Sequence, residues 1–197
     1  MPWFATTSIK NRTMVDPTLP GIDTDLCTPV RYGPVTAIFI PGDALPPQHL
    51  IGNVNIVPFV GDQAVVLRVA GGRPEIPGGT LEPGEGFMAA LRRELREEAG
   101  ANLRSWTFFG AYHCHSAAPE PYRPHLPHPD FSRVVGYGEI ELVTNPTTPP
   151  GGEKIVEVSV LPVHEVIQVF RQWQRPDVAA LFRLAAELRH VARRSAS

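Results

Sequence analysis

Alternation of apolar and polar positions predicts a series of strands along most of the chain. Short apolar runs bounded by Pro, Gly and Asp are typical of half-buried or buried strands. The predicted strands cover residues 34–41, 54–60, 63–69, 106–113, 133–143 and 154–161. Gly61 and Asp62 separate the second strand from the third, and this dipeptide predicts a tight hairpin.

Helical periodicity replaces this alternation in three places. A run of good helix formers over residues 87–98 predicts a helix that stops at Gly100, because glycine readily adopts the left-handed conformation that ends many helices. Near the end of the chain, residues 162–173 and 176–193 have apolar side chains at helical spacing, which predicts two further helices.

The first predicted helix carries three carboxylates on one face. Glu94, Glu97 and Glu98 are spaced i, i+3 and i+4, and they fall beside the apolar stripe that begins at Phe87. Each like-charged pair at this spacing costs about 0.2–0.5 kcal/mol, and partial burial increases the cost. A hard divalent cation would relieve the repulsion, since it prefers oxygen ligands. For an isolated acidic run, a solvated helix face is the common alternative.

The acidic run is part of a longer pattern of fixed spacing, G-x5-E-x7-R-E-U-x-E-E-x-G-U, where U is aliphatic. The matching residues are Gly79, Glu85, Arg93, Glu94, Leu95, Glu97, Glu98, Gly100 and Ala101. This pattern is the Nudix box, so the chain resembles the Nudix hydrolases. The surrounding strand pattern extends the resemblance to most of residues 34–173.

The resemblance implies both a fold and a reaction. The implied fold is an α/β/α sandwich with a mixed sheet between helices. The implied reaction is hydrolysis of a diphosphate linkage in a nucleoside diphosphate derivative, such as ADP-ribose, a nucleotide sugar, a (d)NTP or a dinucleoside polyphosphate. One alternative is a non-catalytic Nudix-fold module that binds a ligand or regulates. Such modules usually lose box glutamates, whereas this chain keeps them. An isomerase of isoprenoid diphosphates is a further alternative.

The resemblance also implies a metal site. Mg²⁺ or Mn²⁺ would be held by Glu94, Glu97 and Glu98, together with the backbone carbonyl of Gly79. Glu85 precedes the helix and would hold the loop or contact a second metal. Metal ions suit diphosphate cleavage because charge on two phosphoryl groups must be neutralised while a water is placed in line.

The general base is left open by the resemblance. In some relatives it is a box glutamate, which corresponds here to Glu94 or Glu97. In others it lies on a later loop, where Glu153 is the candidate. Arg93 is expected to orient a neighbouring carboxylate with its planar guanidinium.

Substrate contacts are expected outside the box. Arg73 lies just before it, and Tyr122 and Arg123 lie in a Pro-rich stretch, residues 116–130. Prolines at this density exclude a helix or a central strand. A long loop in a compact domain is either functional or a plain surface loop, and both a substrate lid and a surface loop stay open.

Length and composition fit one domain, residues 34–197, preceded by an N-terminal extension, residues 1–33. The net charge is −2, which gives no electrostatic support for nucleic-acid binding. The sequence contains neither an apolar run of about 18 residues nor a signal-peptide pattern, so no membrane association is expected.

The two cysteines, Cys27 and Cys114, match no disulfide or CxxC pattern. Free thiols are the simpler interpretation, and they favour a reducing compartment, the cytoplasm. The expected partner is a small-molecule diphosphate substrate. A homodimer stays open, with the N-terminal aromatic residues and the C-terminal helix as candidate contact surfaces.

Overall fold

The computed structural model describes residues 23–147 and 154–195. Glu153 and residues 1–22 of the predicted N-terminal extension lie outside the described residues. The helices are α1 Thr24–Cys27, α2 Phe87–Ala99, α3 Val163–Gln172 and α4 Pro176–Ser195, with a 3-10 turn at Gln48–Leu50. The strands are β1 Val30–Tyr32, β2 Val35–Pro41, β3 Ile51–Val60, β4 Gln63–Val69, β5 Pro74–Glu75, β6 Gly78–Thr80, β7 Ala101–Leu103, β8 Thr107–Ser116, β9 Asp130–Leu142 and β10 Ile155–Pro162.

The strands form a mixed sheet in the order β1-β2-β8-β9-β3-β4-β10. The short strands β5, β6 and β7 pair at its side with β4, β3 and β9, respectively. β3 and β9 run parallel, while the other described pairs are antiparallel. A parallel pair requires a long crossover connection, and here that connection contains α2.

Helices cover both faces of the sheet. α2 packs its buried residues Leu91 and Leu95 on one face, against Val54 and Ile56 of β3. On the opposite face α1, α3 and α4 enclose a second core. Because side chains alternate along a strand, β3 supplies both cores. The predicted α/β/α sandwich with a mixed sheet is confirmed.

The hairpin of β3 and β4 separates soon after its turn. These strands pair with each other only at Phe59–Ala64 and Val60–Gln63. Farther from the turn, β6 pairs with β3 and β5 pairs with β4. Residues 74–80 therefore enter the gap between the two strands, which brings the backbone just before α2 into the middle of the sheet.

The segment before the predicted domain boundary is packed against the body. Leu26 of α1 is only 2% exposed and belongs to the core on the α4 side. Asp23 forms an ion pair with Arg183 of α4. The tyrosine of β1, Tyr32, contacts Asp177 at the start of α4 through its hydroxyl, at 3.4 Å. The boundary at residue 33 stays a prediction, but residues 23–32 are bound to the C-terminal helix.

The arginines near the C-terminus do more than complement the helix dipole. Arg189 donates from Nε to Glu139 at 2.9 Å, and its guanidinium lies 4.5 Å from the centroid of the Phe59 ring. Arg193 contacts Asp62 at 2.6 Å in the β3–β4 turn. These contacts attach α4 to the sheet.

None of the helices in the described ranges is long and apolar enough to cross a membrane. The cytoplasmic location and the homodimer stay predictions.

Gly100 allows a test of the turn that ends α2. It has a φ of 60°, and a Cβ added there would lie 2.1 Å from the carbonyl oxygen of Thr144. Gly61 has a φ of 59° with nothing within 4 Å of the added Cβ. Both Gly61→Ala and Gly100→Ala therefore lose about 1–2 kcal/mol to the left-handed conformation. Gly100→Ala should lose at least about 1 kcal/mol more because of the clash.

Urea denaturation of the two variants and the parent protein measures this difference. Equal losses of unfolding free energy in the two variants would contradict the clash at Thr144.

Candidate active site

Two consecutive glycines bring the backbone against the acidic helix. A Cβ on Gly78 would lie 2.1 Å from the carbonyl oxygen of Val54, and one on Gly79 would lie 2.1 Å from Oε1 of Glu94. Neither position has room for a side chain. The close approach places the main chain at Gly79 directly beside a carboxylate of α2.

Arg93 connects the box loop with the helix. Its Nε and Nη2 donate to the two oxygens of Glu85, both at 3.0 Å. Nη1 donates to Glu94 at 2.9 Å and to Glu97 at 3.4 Å, and Nη2 also reaches the carbonyl of Thr80 at 3.3 Å. The hydrogen bonds from Arg93 hold the pKa of the Glu85 carboxyl below its ordinary value. One guanidinium thus fixes three of the box carboxylates.

Glu98 turns the other way, toward the box backbone. Its Oε2 accepts a hydrogen bond from the Gly78 N–H at 2.9 Å. Burial raises the pKa of Glu98 to about 8, and the charges of Glu94 and Glu75 add to the rise, while the bond from Gly78 opposes it. Burial also raises the pKa of Glu94, opposed by the charge of Arg93. The site therefore holds more negative charge than its own cations compensate.

The donor set fits a hard divalent cation. In the placed conformation, the described residues include no group of three His, Cys, Asp or Glu side chains that could hold a metal ion. Arg93 holds Glu94 and Glu97, and Glu98 faces Gly78. The available donors are nevertheless oxygens, two of them on carboxyls whose pKa values are raised by burial. A cation bound here would offset this burial of negative charge.

A polar cavity of about 250 Å³ opens beside Glu98. Its lining includes Gly78, Glu98, Asn53, Asn55, Glu75 and Arg133. Oδ1 of Asn53 and Nε of Arg133 are buried without a hydrogen-bond partner. A larger cavity of about 310 Å³ lies between β1 and the start of α4. It contains no residue of α2, so the cavity that includes Glu98 is the candidate active site.

The sequence analysis missed the strand residues of this cavity. Asn53 and Asn55 alternate with the buried Val54 and Ile56 on β3. Two amides at alternate positions of an otherwise apolar central strand were the available signal. Arg133 had no comparable local signal, because only the parallel register pairs it with Asn53.

The predicted substrate residues lie apart from Glu98. Arg73 forms an ion pair with Glu75, which lines the cavity, but Arg73 itself does not. Tyr122 is 83% exposed, and the Arg123 guanidinium lies 5.8 Å from its ring centroid. Neither lines the cavity. The substrate roles of these three residues stay predictions.

The Pro-rich stretch is anchored to the box loop. His125 Nε2 donates to the Leu81 carbonyl at 2.8 Å, and His128 Nε2 donates to the Ala118 carbonyl at 3.0 Å. A carbonyl can only accept, so both rings carry the proton on Nε2. The stretch therefore borders the site, and its role as a lid stays a prediction.

The family model described as NUDIX domain matches residues 50–182 of the sequence. The chain belongs to the Nudix family. The matched range contains the whole box and nearly all of the sheet, so the family assigned from the box is confirmed. It also supports the assignment as a hydrolase of pyrophosphate bonds. Nudix hydrolases generally use divalent metal ions, in agreement with the donor set beside Gly79.

Solved Nudix structures share the fold. A NUDIX hydrolase from Nitrosomonas europaea is 20% identical, with a TM-score of 0.50, and the match covers 72% of this chain and 90% of that one. A Bacillus subtilis pyrophosphohydrolase is 17% identical with a TM-score of 0.49, covering 64% and 72%. An ADP compounds hydrolase is 22% identical with a TM-score of 0.44, covering 69% and 71%. Comparison with curated protein sequences gives no match.

The raised pKa of Glu98 predicts how metal-free stability depends on pH. The carboxyl has a pKa of about 8 in the folded protein, against 4.5 as its ordinary value. Between these values the folded state retains a proton that the unfolded state has lost. The free energy of unfolding therefore falls as pH rises from about 5 to 8. Glu98→Gln cannot ionise, so it should show a smaller fall.

Urea denaturation in EDTA at pH 5, 6.5 and 8 measures this effect. Glu165→Gln serves as the matched control, because Glu165 is a half-exposed helix glutamate on α3. The stability of Glu98→Gln relative to the parent protein should increase with pH, and that of Glu165→Gln should not. A pH-independent difference for Glu98→Gln would contradict the raised pKa.

Proposed function

We propose that this Nudix hydrolase is a metal-dependent pyrophosphohydrolase that cleaves a diphosphate linkage in a nucleoside diphosphate derivative. The candidate substrates are ADP-ribose, nucleotide sugars and (d)NTP-like compounds. The observation that carries the proposal is the meeting of Glu94, Glu97 and Glu98 with the Gly79 backbone, next to the polar cavity. Retention of every box glutamate favours catalysis over a non-catalytic binding module.

The chain supplies a site for Mg²⁺ or Mn²⁺ through Glu94, Glu97 and Glu98, with Gly79 contributing its carbonyl. Bound there, the ion would neutralise phosphoryl charge and acidify a water. Glu85 is engaged by both Nε and Nη2 of Arg93, which supports a role in holding the loop more than direct metal binding. Arg93 positions Glu94 and Glu97 for their task.

A carboxylate of the chain accepts the proton of the attacking water. Of the two described candidates, Glu97 has the more accessible side chain, 28% exposed against 13% for Glu94. Glu97 is also held less closely by Arg93, at 3.4 Å against 2.9 Å. Both differences favour contact of Glu97 with water. Glu153 is the third candidate, and it lies outside the described residues.

Phosphate release from a panel of diphosphate compounds tests the proposal. Each compound is assayed with Mg²⁺, with Mn²⁺ and with EDTA, using a coupled phosphatase to report nucleoside monophosphates. We expect metal-dependent release from at least one nucleoside diphosphate derivative. No release across the panel from a folded protein that binds metal would favour the binding-module alternative.

Substitutions in the box should separate chemistry from folding. Glu97→Gln and Glu98→Gln are each expected to reduce turnover at least about a hundredfold, since each removes a charged ligand or base. Glu165→Gln should retain parental turnover. Circular dichroism and thermal midpoints of all three variants establish that they are folded. Parental turnover in Glu97→Gln or Glu98→Gln would exclude the role assigned to that residue.

Metal binding also has a readout that is independent of activity. At pH 8 the addition of Mg²⁺ should raise the thermal midpoint of the parent protein, because a ligand that binds only the folded state stabilises it. Glu98→Gln should show at most a small rise, and Glu165→Gln should respond like the parent. The three midpoints are measured with and without Mg²⁺ in the same buffer. An equal rise in Glu98→Gln would place the cation elsewhere.

A further inference from the structure

The cavity beside Glu98 contains an arginine without an acidic partner. Arg133 lies on β9 and is partly buried, and its Nε is enclosed without a hydrogen-bond partner. In residues 23–147 and 154–195, Arg133 forms no salt bridge, although Glu98 lines the same cavity. Withdrawing a guanidinium from water without a counter-charge is unfavourable. The position therefore favours an anionic ligand.

Two tyrosine rings fix this guanidinium. The Cζ atom of Arg133 lies 5.4 Å from the centroid of the Tyr32 ring and 5.9 Å from that of Tyr112. Tyr112 is paired with Arg133 in the β8–β9 register and is only 5% exposed. Cation–π contacts on two rings restrict the arginine. A restricted arginine loses less conformational entropy when it binds an anion.

The outer ring of this arrangement comes from the N-terminal segment. Tyr32 lies before residues 50–182, the range that matches the Nudix domain. Its hydroxyl accepts a hydrogen bond from Arg175 Nη2 at 3.2 Å and donates to Asp177 at 3.4 Å. Arg175 in turn contacts Asp177 at 3.1 Å. These contacts hold Tyr32 in place over Arg133.

We propose that Arg133, held between Tyr32 and Tyr112, binds a phosphoryl group of the substrate, and that the segment before the domain match thereby completes the substrate site. A phosphoryl group fits because its oxygens accept parallel hydrogen bonds from a guanidinium. The identification of the anion as a diphosphate rests on the proposed function. The anion site itself rests on the unpartnered Arg133.

Calorimetric titration with inorganic pyrophosphate in the presence of Mg²⁺ tests this site without requiring turnover. Arg133→Gln should weaken pyrophosphate binding at least about tenfold, because it removes a charge-assisted contact. Arg133→Lys should be intermediate, since it keeps the charge and loses the planar fork. Arg104→Gln is the matched control, because Arg104 is exposed and pairs with Glu141. It should bind as the parent does.

A structural role for Arg133 predicts different results. In that case Arg133→Gln would lower the thermal midpoint and Arg133→Lys would restore both the midpoint and full affinity. Tyr32→Phe keeps the ring and should preserve pyrophosphate affinity, whereas Tyr32→Ala should weaken it. Parental affinity in a folded Arg133→Gln variant, or no pyrophosphate binding by the parent protein, would overturn the inference.

Kinetics separate this inference from the proposed function. With an active substrate, Arg133→Gln should raise KM at least about tenfold and change kcat less. Arg133-dependent pyrophosphate binding without metal-dependent turnover would contradict the proposed catalysis and support the anion site. Turnover with an unchanged KM in Arg133→Gln would support the catalysis and contradict the anion site.

Discussion

The hydrogen bonds of Arg93 are the contacts on which the site depends. A single guanidinium holds Glu85 of the loop together with Glu94 and Glu97 of α2. Three crowded carboxylates would otherwise repel one another at the edge of a buried face. A planar fork can serve several acceptors in fixed directions, which a lysine ammonium cannot do. Loop and helix therefore keep one relative position, and the carboxylates keep theirs.

That position is useful only because the sheet opens next to it. β3 and β4 pair at two positions and then separate, so that residues 74–80 can pass between them. The glycines at 78 and 79 allow this backbone to approach β3 and Glu94 more closely than any side chain would permit. The separation also leaves Glu98 facing a cavity instead of a continuous sheet. The hairpin thus supports the core at one end and the site at the other.

The sequence predicted what local pattern and fixed spacing encode. Helical periodicity and Gly100 gave α2 with its end, and the spacing of the box gave the cluster around Glu94. Residues that meet through long-range pairing carried no such pattern. Asn53 reaches Arg133 only through the parallel register of β3 with β9. Tyr32 reaches the same arginine from a segment whose composition predicted only turns.

The charges of the cavity indicate what kind of occupant it complements. Glu98 and Arg133 both line it, yet no salt bridge joins them in the described structure, and neither has a full counter-charge. A simple anion would meet repulsion from Glu98, and a simple cation would meet repulsion from Arg133. A divalent cation chelated by a diphosphate presents positive charge to the carboxylates and phosphoryl oxygens to the guanidinium. The unpaired Glu98 and Arg133 are thus the two halves of one recognition site for a metal–diphosphate complex.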